Sequence, residues 1–125
     1  MTFDVQPGGI YKLPFPFTDL SGSKGRPALA LSEPDQNGDV RFLFITKMPP
    51  EKNERSCLLS PDDYLGSPLP FESHLRMDKP FLLNQKLVLK PLAVLSSQTL
   101  EKALRVLITF GIPGFTKVKY ASTAF

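Results

Sequence analysis

The stretch from Pro7 to Ser32, PGGIYKLPFPFTDLSGSKGRPALALS, decides the fold predicted for this chain. Between Gly9 and Phe17 large apolar side chains recur at every second residue, which predicts a strand with one apolar face. A loop rich in glycine and serine spans Thr18 to Gly25, and a more apolar strand begins at Arg26. The loop therefore ends on an arginine at the start of a strand, and a guanidinium in that setting suits a phosphate group.

Prolines alternate with the apolar residues of the first strand. Because Pro14 and Pro16 have no N–H group to donate to a neighbouring strand, we expect this strand to have at least one free edge. The chain contains 13 prolines in all. Their spread between short β-type runs favours strand edges and turns over disorder.

Two apolar runs, RPALALS from Arg26 and VRFLFITKM from Val40, flank a strong turn signal at Asn37-Gly38. This pattern predicts an antiparallel hairpin. With the hairpin centred near Gln36, residues whose numbers add to 72 face each other, so that Arg26 lies opposite Thr46. Directly opposed residues share one face of a sheet and have Cβ atoms roughly 5 Å apart. A bulge in the second strand would break this register.

The middle of the chain predicts short elements joined by polar loops. Ser60 is a good N-cap, Pro61 suits the first helical position, and Asp62 and Asp63 suit the positive end of a helix that Gly66 would stop. The predicted elements are a loop over 49–55, a strand over 57–60, this brief helix, an extended segment over 73–83 and a last strand over 87–96.

The clearest helix is predicted from Ser97 to Phe110, capped by Ser96 or Ser97 and ended by Gly111. Its apolar side chains recur at helical spacing on one face. The whole pattern predicts a mainly β protein, a small antiparallel β barrel or half-barrel closed by one long C-terminal helix. The apolar positions of the helix are Leu100, Ala103, Leu104, Leu107 and Ile108.

The composition is typical of one ordinary soluble domain of 125 residues. The net charge of +3 favours polyanions as partners without identifying one. The single cysteine, Cys57, excludes an internal disulfide and fits a reducing compartment. Since neither a signal peptide nor a run of about 18 apolar residues is present, we expect a cytoplasmic protein without a membrane anchor.

The residue types narrow the possible chemistry. One histidine, His74, and one cysteine argue against a metal centre, a nucleophile triad and paired-histidine ribonuclease chemistry. We expect His74 to be a surface residue on a short strand. What remains is either plain binding or metal-free phosphoryl transfer, in which Arg26 would grip a phosphate and Thr46 would donate to a second phosphate oxygen. An ordinary solvated arginine and a β-branched strand threonine would explain the same two residues.

Three segments resemble the MazF/PemK toxins. PFPFTDLSGSKGRPALALS is similar to the opening of that family, and FITK, with Thr46, is similar to its second motif. LRMDKPFLLNQKLVLKPLAVLSSQTLEKA resembles its later part, an Arg-x-Asp-Lys strand followed by the entry to the last helix. The resemblance covers roughly Pro7 to Phe110, which leaves residues 111–125 as a C-terminal extension.

The resemblance implies an SH3-like β barrel with a C-terminal helix, usually a homodimer. It implies a cofactor-free, metal-independent endoribonuclease that cuts single-stranded RNA and leaves a 2′,3′-cyclic phosphate and a 5′-hydroxyl. It further implies a toxin inhibited by a cognate antitoxin with a disordered acidic tail. The catalytic roles of the family fall on Arg26 and Thr46, and no residue is assigned as the general base.

Other side chains are candidates for contacts with RNA. The alternative function is a non-cleaving module of the same fold that binds a nucleic acid or a protein. Two departures from the family pattern are Gly9, where an aspartate is usual, and Lys47, where a small or amide residue is commoner. The candidate RNA contacts are Ser21, Ser23, Lys24, Lys47 and Lys79.

Overall fold

The computed structural model describes residues 4–14, 25–47 and 56–109. Within these ranges the chain forms seven strands, two single 3₁₀ turns (Pro61–Asp63 and Gln85–Leu87) and one α-helix. The strands are β1 (Gly9–Pro14), β2 (Gly25–Ala30), β3 (Asp39–Thr46), β4 (Ser56–Leu59), β5 (Ser73–Arg76), β6 (Phe81–Asn84) and β7 (Lys90–Val94), and the helix is α1 (Ser97–Thr109).

The strands form one antiparallel sheet in the order β4-β5-β3-β2-β1-β7. The long strand β3 has two neighbours on the side away from β2. Its first half, Asp39 to Phe42, pairs with β6, and its end, Ile45 and Thr46, pairs with β5. The sheet therefore divides along β3 and curves into a half-barrel. This architecture confirms the predicted fold class.

Both faces of the central strands are buried, and the sequence of β2 shows why. Leu29 lies in the larger apolar cluster, which contains the buried face of α1, while Ala28 and Ala30 lie in a second cluster with Tyr11 and Phe42. Small residues on one face and large ones on the other let both layers pack closely. Burying one such leucine contributes roughly 1.5–3 kcal/mol, so the two clusters are the main stabilising contribution to the sheet.

The helix begins where the sequence predicts. The Ser96 hydroxyl accepts a hydrogen bond from the backbone N–H of Thr99 at 3.2 Å, which identifies Ser96 and not Ser97 as the N-cap. The predicted C-terminal residue, Phe110, lies outside the described residues, as does Gly111. The predicted apolar face is confirmed, since Leu100, Ala103, Leu104 and Leu107 are buried and Ile108 is half-buried.

The predicted brief helix is a single 3₁₀ turn, and one carboxylate attaches it to α1. The Ser60 N–H and hydroxyl donate to Asp63 Oδ2, while the Thr99 hydroxyl donates to Asp63 Oδ1 at 2.9 Å. Burial raises the pKa of Asp63, but these hydrogen bonds outweigh it, so the pKa lies below its ordinary value. Asp63 is therefore a structural residue, as a position at a helix start predicts.

Two predictions for the later strands are wrong. The segment 73–83 is not one extended run but two strands, β5 and β6, separated by a turn in which the Arg76 guanidinium pairs with the Asp78 carboxylate. The last strand begins at Lys90 and not at Leu87, because the Asn84 side chain accepts from the Lys86 N–H and starts a 3₁₀ turn. In both places a local polar contact overrides an apolar pattern.

The expected free edge of the first strand is also wrong over most of β1. Gly9 to Lys12 pair with β7 on one side, while Ile10 to Pro14 pair with β2 on the other. Pro14 is tolerated because the pairing with β7 has already ended at Lys12. Phe15 to Phe17, the predicted continuation of this strand, lie outside the described residues.

Candidate active site

The hairpin formed by β2 and β3 has the register predicted from the sequence. Ala28 pairs with Phe44, Leu29 with Leu43 and Ala30 with Phe42, and each pair of numbers adds to 72. The turn that sets this register is built around Asp35, whose carboxylate accepts the N–H groups of Asn37 at 2.8 Å and Asp39 at 3.0 Å. Gly38 completes the turn with a φ of 84°, a conformation that favours glycine.

At the open end of the same hairpin lies a cavity of about 300 Å³. Arg26 enters it from the start of β2, while Thr46 ends β3 and Lys47 follows it. A guanidinium, an ammonium and a hydroxyl around one cavity form a set of donors suited to an anion with several oxygens. The full lining among the described residues is Gly25, Arg26, Pro27, Ile45, Thr46, Lys47 and Phe71.

Gly25 is required where the chain enters this cavity. A Cβ atom at Gly25 would lie 2.5 Å from Lys12 Cγ and 2.9 Å from the backbone oxygen of Leu13. The backbone oxygen cannot move aside as a side chain can, because β1 is held in the sheet at this point. Glycine therefore brings β2 close against β1, and the next residue, Arg26, starts from a fixed position.

Phe71 is the lining residue that the sequence analysis missed. It lies in the connection between the 3₁₀ turn and β5, where no periodicity marks it, and its ring is 4.8 Å from Lys47 Nζ. An ammonium above an aromatic face is attracted by the ring electrons. Phe71 thus holds the Lys47 side chain beside the cavity. Its place as an aromatic residue between Pro70 and Glu72 is the one signal in the sequence that distinguishes it.

The prediction that His74 lies on the surface is wrong. His74 is on the short strand β5, as expected, but it is 7% exposed and pairs directly with Thr46. Its Nε2 atom is buried without a hydrogen-bond partner among the described residues, and the Glu72 carboxylate lies 3.5 Å away. His74 does not line the cavity. Sequence neighbours could not reveal this burial, because it results from the pairing of β5 with both β3 and β4.

The candidate RNA contacts have different locations. Lys47 lines the cavity beside Arg26 and Thr46. Lys79 is exposed in the connection between β5 and β6 and is not part of the lining. The other candidates, Ser21, Ser23 and Lys24, lie outside the described residues together with the rest of the predicted loop.

The space beside Gly9 is occupied by another side chain. A Cβ atom at Gly9 would lie 2.6 Å from the ring and from the hydroxyl oxygen of Tyr11. That hydroxyl accepts a hydrogen bond from the Gln6 N–H at 3.0 Å, and Tyr11 is buried. The phenol therefore fills the space beside Gly9 and fixes the backbone that precedes β1.

The described residues contain no group of three histidine, cysteine, aspartate or glutamate side chains placed to hold a metal ion. Neither does the described part of the chain include a helix long and apolar enough to cross a membrane.

These features define a class of protein: a small antiparallel half-barrel with one C-terminal helix and a cationic cavity at the open end of its central hairpin. By sequence, the chain matches no protein-family profile and no curated protein. By structure, it is similar to an endoribonuclease in complex with its cognate antitoxin from a mycobacterial species, with a TM-score of 0.61 and 20% identity over 88% of this chain and 96% of that chain.

Two further solved structures agree. One is an endoribonuclease from a mycobacterial species, with a TM-score of 0.58 and 19% identity over 90% of this chain and 97% of that chain. The other is the Mycobacterium tuberculosis toxin MazF-mt6, with a TM-score of 0.55 and 17% identity over 82% of this chain and 93% of that chain. The fold of this protein is thus that of the MazF endoribonucleases, which confirms at the level of the fold the resemblance seen in the sequence motifs.

Proposed function

We propose that this protein is a toxin of the MazF type, a metal-independent endoribonuclease that cleaves single-stranded RNA. One observation carries the proposal: Arg26 and Thr46, which come from two strands of one hairpin, line a single cavity together with Lys47. The similarity of the fold to those of solved endoribonucleases supports the same proposal. The cationic lining suits the phosphate of an RNA chain.

In this mechanism the RNA supplies its own nucleophile. The 2′-hydroxyl oxygen forms a bond to phosphorus, the bond between phosphorus and the 5′-oxygen breaks, and the products are a 2′,3′-cyclic phosphate and a 5′-hydroxyl. The 2′-proton leaves to a base that we do not assign to a side chain, and the 5′-oxygen gains a proton. The enzyme supplies position and charge stabilisation.

Arg26 and Thr46 have distinct roles in this step. A guanidinium remains protonated at neutral pH, so Arg26 stabilises the negative charge on the phosphate oxygens and does not act as a base. The Thr46 hydroxyl donates a hydrogen bond to a second phosphate oxygen as charge develops. Lys47, held by the Phe71 ring, adds a further positive charge on the same side of the cavity.

The test is incubation of the purified protein with single-stranded RNA in the presence of EDTA, followed by analysis of the product ends. We expect 5′-hydroxyl fragments with 2′,3′-cyclic phosphates. Binding that weakens with salt, without any cleavage, would instead identify a nucleic-acid-binding module of the same fold. Cleavage that requires a divalent ion, or products with 3′-hydroxyl ends, would contradict the mechanism.

A cognate antitoxin with an acidic disordered tail is the proposed protein partner. One of the similar structures contains an endoribonuclease together with its cognate antitoxin, and the net charge of +3 on this chain favours an acidic partner. The check is to search the neighbouring genes for a small open reading frame that encodes an acidic protein, and to coexpress its product with this one. We expect a stable complex in which cleavage is inhibited and growth arrest is relieved, in the cytoplasm of the host cell.

A homodimer is the proposed assembly. Several large apolar side chains on β6, on β7 and between them are exposed, and such side chains favour a contact surface where they lie together. Light scattering coupled to size exclusion should give a mass of about twice the 13.9 kDa of the chain. A monomer at micromolar concentration would contradict this assembly. The exposed residues are Leu82, Leu87, Leu89, Leu92 and Val94.

A further inference from the structure

A second cavity shares one lining residue, Phe71, with the cationic one. It has a volume of about 480 Å³ and is formed by the end of β4, the 3₁₀ turn and the connection that leads to β5. The two cavities therefore meet at one aromatic residue. The residues that matter for its chemistry are Leu58, Pro61, Tyr64, Pro70, Phe71 and Glu72.

The two cavities differ in charge and polarity. Arg26 and Lys47 line the first, whereas the described lining of the second includes no lysine or arginine, and Glu72 is its one charged residue. A phosphate would lose its hydration in the second cavity without gaining a cation, and it would face a carboxylate. A flat, neutral, partly apolar group with N–H donors fits better, because proline, leucine and aromatic walls accept its faces and Glu72 accepts its N–H groups.

We propose that the second cavity binds the nucleobase of the nucleotide whose phosphate occupies the first, with Phe71 as the aromatic wall against which that base stacks. This inference rests on the proposed function, since it takes single-stranded RNA as the ligand. Unstacked bases of single-stranded RNA bind in this way to aromatic side chains beside a cationic groove. A base bound here fixes the register of the phosphate against Arg26 and Thr46. The cavity is then a determinant of cleavage position.

The walls of this cavity are held by the body of the protein. The backbone of Tyr64 forms a bridge with Leu95, and the Leu65 N–H donates to the oxygen of Val94 at 2.8 Å. The carboxylate of Asp63, the residue before Tyr64, accepts a hydrogen bond from the Thr99 hydroxyl in the first turn of α1. A site built on such fixed elements selects its ligand by shape, because the walls do not adapt to a poor fit.

The chain offers a direct fluorescence test because it contains no tryptophan. In a Phe71→Trp variant the indole reports on stacking in the site. The probes are a mixed-sequence 2′-O-methyl oligoribonucleotide, which lacks the nucleophilic hydroxyl and cannot be cleaved, and an oligomer of equal phosphate number built from abasic spacers. The control is Leu65→Trp, because Leu65 is 62% exposed and does not line the cavity.

We expect the base-containing oligomer to quench the Phe71→Trp emission, the abasic oligomer to leave it unchanged, and neither to affect Leu65→Trp. Equal quenching by both oligomers, or no quenching when fluorescence anisotropy shows that the base-containing oligomer binds, would overturn the proposal. Because the oligomer cannot be cleaved, this result does not depend on whether the protein is an active ribonuclease. Circular dichroism establishes that each variant is folded.

A kinetic test uses a pair of matched leucines. Leu58 lines the cavity and is 53% exposed, and Leu65 is similarly exposed but lies outside it. On an RNA that the wild type cleaves, Leu58→Ser should lower kcat/KM about tenfold, the order expected for weakened contact with one base, and Leu65→Ser should not. Replacing the base beside the cleaved phosphate by an abasic site should abolish the difference between Leu58→Ser and wild type. If the difference persists on the abasic substrate, the cavity does not bind that base. Absence of cleavage by the wild type would instead contradict the proposed function.

Discussion

The two ends of the central hairpin are both polar, but they use their polar groups in opposite ways. At the turn, the Asp35 carboxylate accepts two backbone N–H groups, and the Asn84 amide donates to the oxygen of Asn37 at 2.8 Å. At the open end, Arg26, Thr46 and Lys47 surround a cavity. The first set forms a hydrogen-bonding network that fixes the strands, and the second set lines a cavity large enough for a ligand.

The geometry of the open end depends on the turn. The turn sets the register of β2 against β3, and that register brings Arg26 and Thr46 to the same cavity. Changes at the open end should therefore affect chemistry without affecting stability, and changes at the turn should do the reverse. The following predictions test this division, from the largest expected effect to the smallest.

Replacing Arg26 should have the largest effect. Arg26→Ala removes the charge that stabilises the phosphate in the transition state, and we expect cleavage to fall about 1,000-fold with little change in the unfolding midpoint. The measurement is the single-turnover cleavage rate. Arg41→Ala, a cation in the other half of the hairpin, is the matched control and should change the rate by no more than about twofold. A fully active Arg26→Ala variant would contradict the proposed mechanism.

Replacing Thr46 should have the next largest effect. Thr46→Val keeps the shape of the side chain and removes one hydrogen-bond donor, so we expect the rate to fall about 100-fold. Thr46→Ser retains the hydroxyl and should recover most of the activity. Equal loss in both variants would show that Thr46 acts through packing and not through its hydroxyl. The same single-turnover assay distinguishes these results.

At the turn, the expected effect is on stability. Asn84→Ala removes the hydrogen bonds to the Asn37 oxygen and to Asp39 Oδ1, together with the one accepted from the Lys86 N–H, and it should lower the free energy of unfolding by about 2 kcal/mol. Urea unfolding measures this change. The control is Lys86→Ala, which alters an exposed side chain close by and should leave the free energy of unfolding nearly unchanged. The cleavage rate of the folded variant should remain that of the wild type. A large loss of activity with unchanged stability would contradict the separate roles of the two ends, stability at the turn and chemistry at the open end.

The turn should also respond to pH. Hydrogen bonds from the N–H groups of Asp39 and Asn37 hold the pKa of Asp35 below its ordinary value of 3.8. Because the folded pKa is the lower one, the stabilisation is present above the ordinary value and is lost as pH falls through the folded pKa. The melting temperature of wild type should exceed that of Asp35→Asn at pH about 6, and the gap should narrow towards pH about 3. A gap that widens in acid would contradict this role.

His74 pairs with Thr46 in the sheet but does not line the cavity, and its replacement should have the smallest effect. Its Nε2 atom is buried without a hydrogen-bond partner among the described residues and lies 3.5 Å from the carboxylate of the exposed Glu72, so His74→Leu should change the free energy of unfolding by no more than about 1 kcal/mol. Because His74 does not line the cavity, we expect cleavage to stay within about threefold of wild type. A 100-fold loss of activity in a folded variant would contradict this separation of His74 from the site.

Local signals in the sequence predicted the hairpin and the helix. Asn37-Gly38 fixes the turn and hence the register at Ala28 to Ala30, and the spacing of Leu100 to Leu107 fixes the buried face of α1. The opposition of Arg26 and Thr46 follows from that register, whereas their catalytic roles are implied by the resemblance to the family motifs. These features depend on residues close together in the chain, where intrinsic preference and final structure agree.

Two of the features that were missed depend on distant pairing. The burial of His74 requires β5 to insert between β3 and β4, and the place of Phe71 beside Lys47 requires the preceding loop to fold back against the end of β3. The break between β5 and β6 was missed for a different reason, because Arg76 and Asp78 are two residues apart and their local ion pair overrides the apolar pattern around them. No periodicity records the first two contacts, because each is decided by a partner far along the chain.

The position of β1 in the sheet has a consequence for synthesis. The N-terminal strand lies between β2 and β7, and Gly9 pairs with Val94. A ribosome releases β1 well before β7, at about 5–20 residues per second, so this strand waits several seconds for its second neighbour. A chain that stops before β7 leaves one side of β1 with unpaired backbone groups, which exposes it to proteases and to aggregation. The sheet is complete only after β7 has been synthesised, and products truncated before β7 therefore remain incompletely folded.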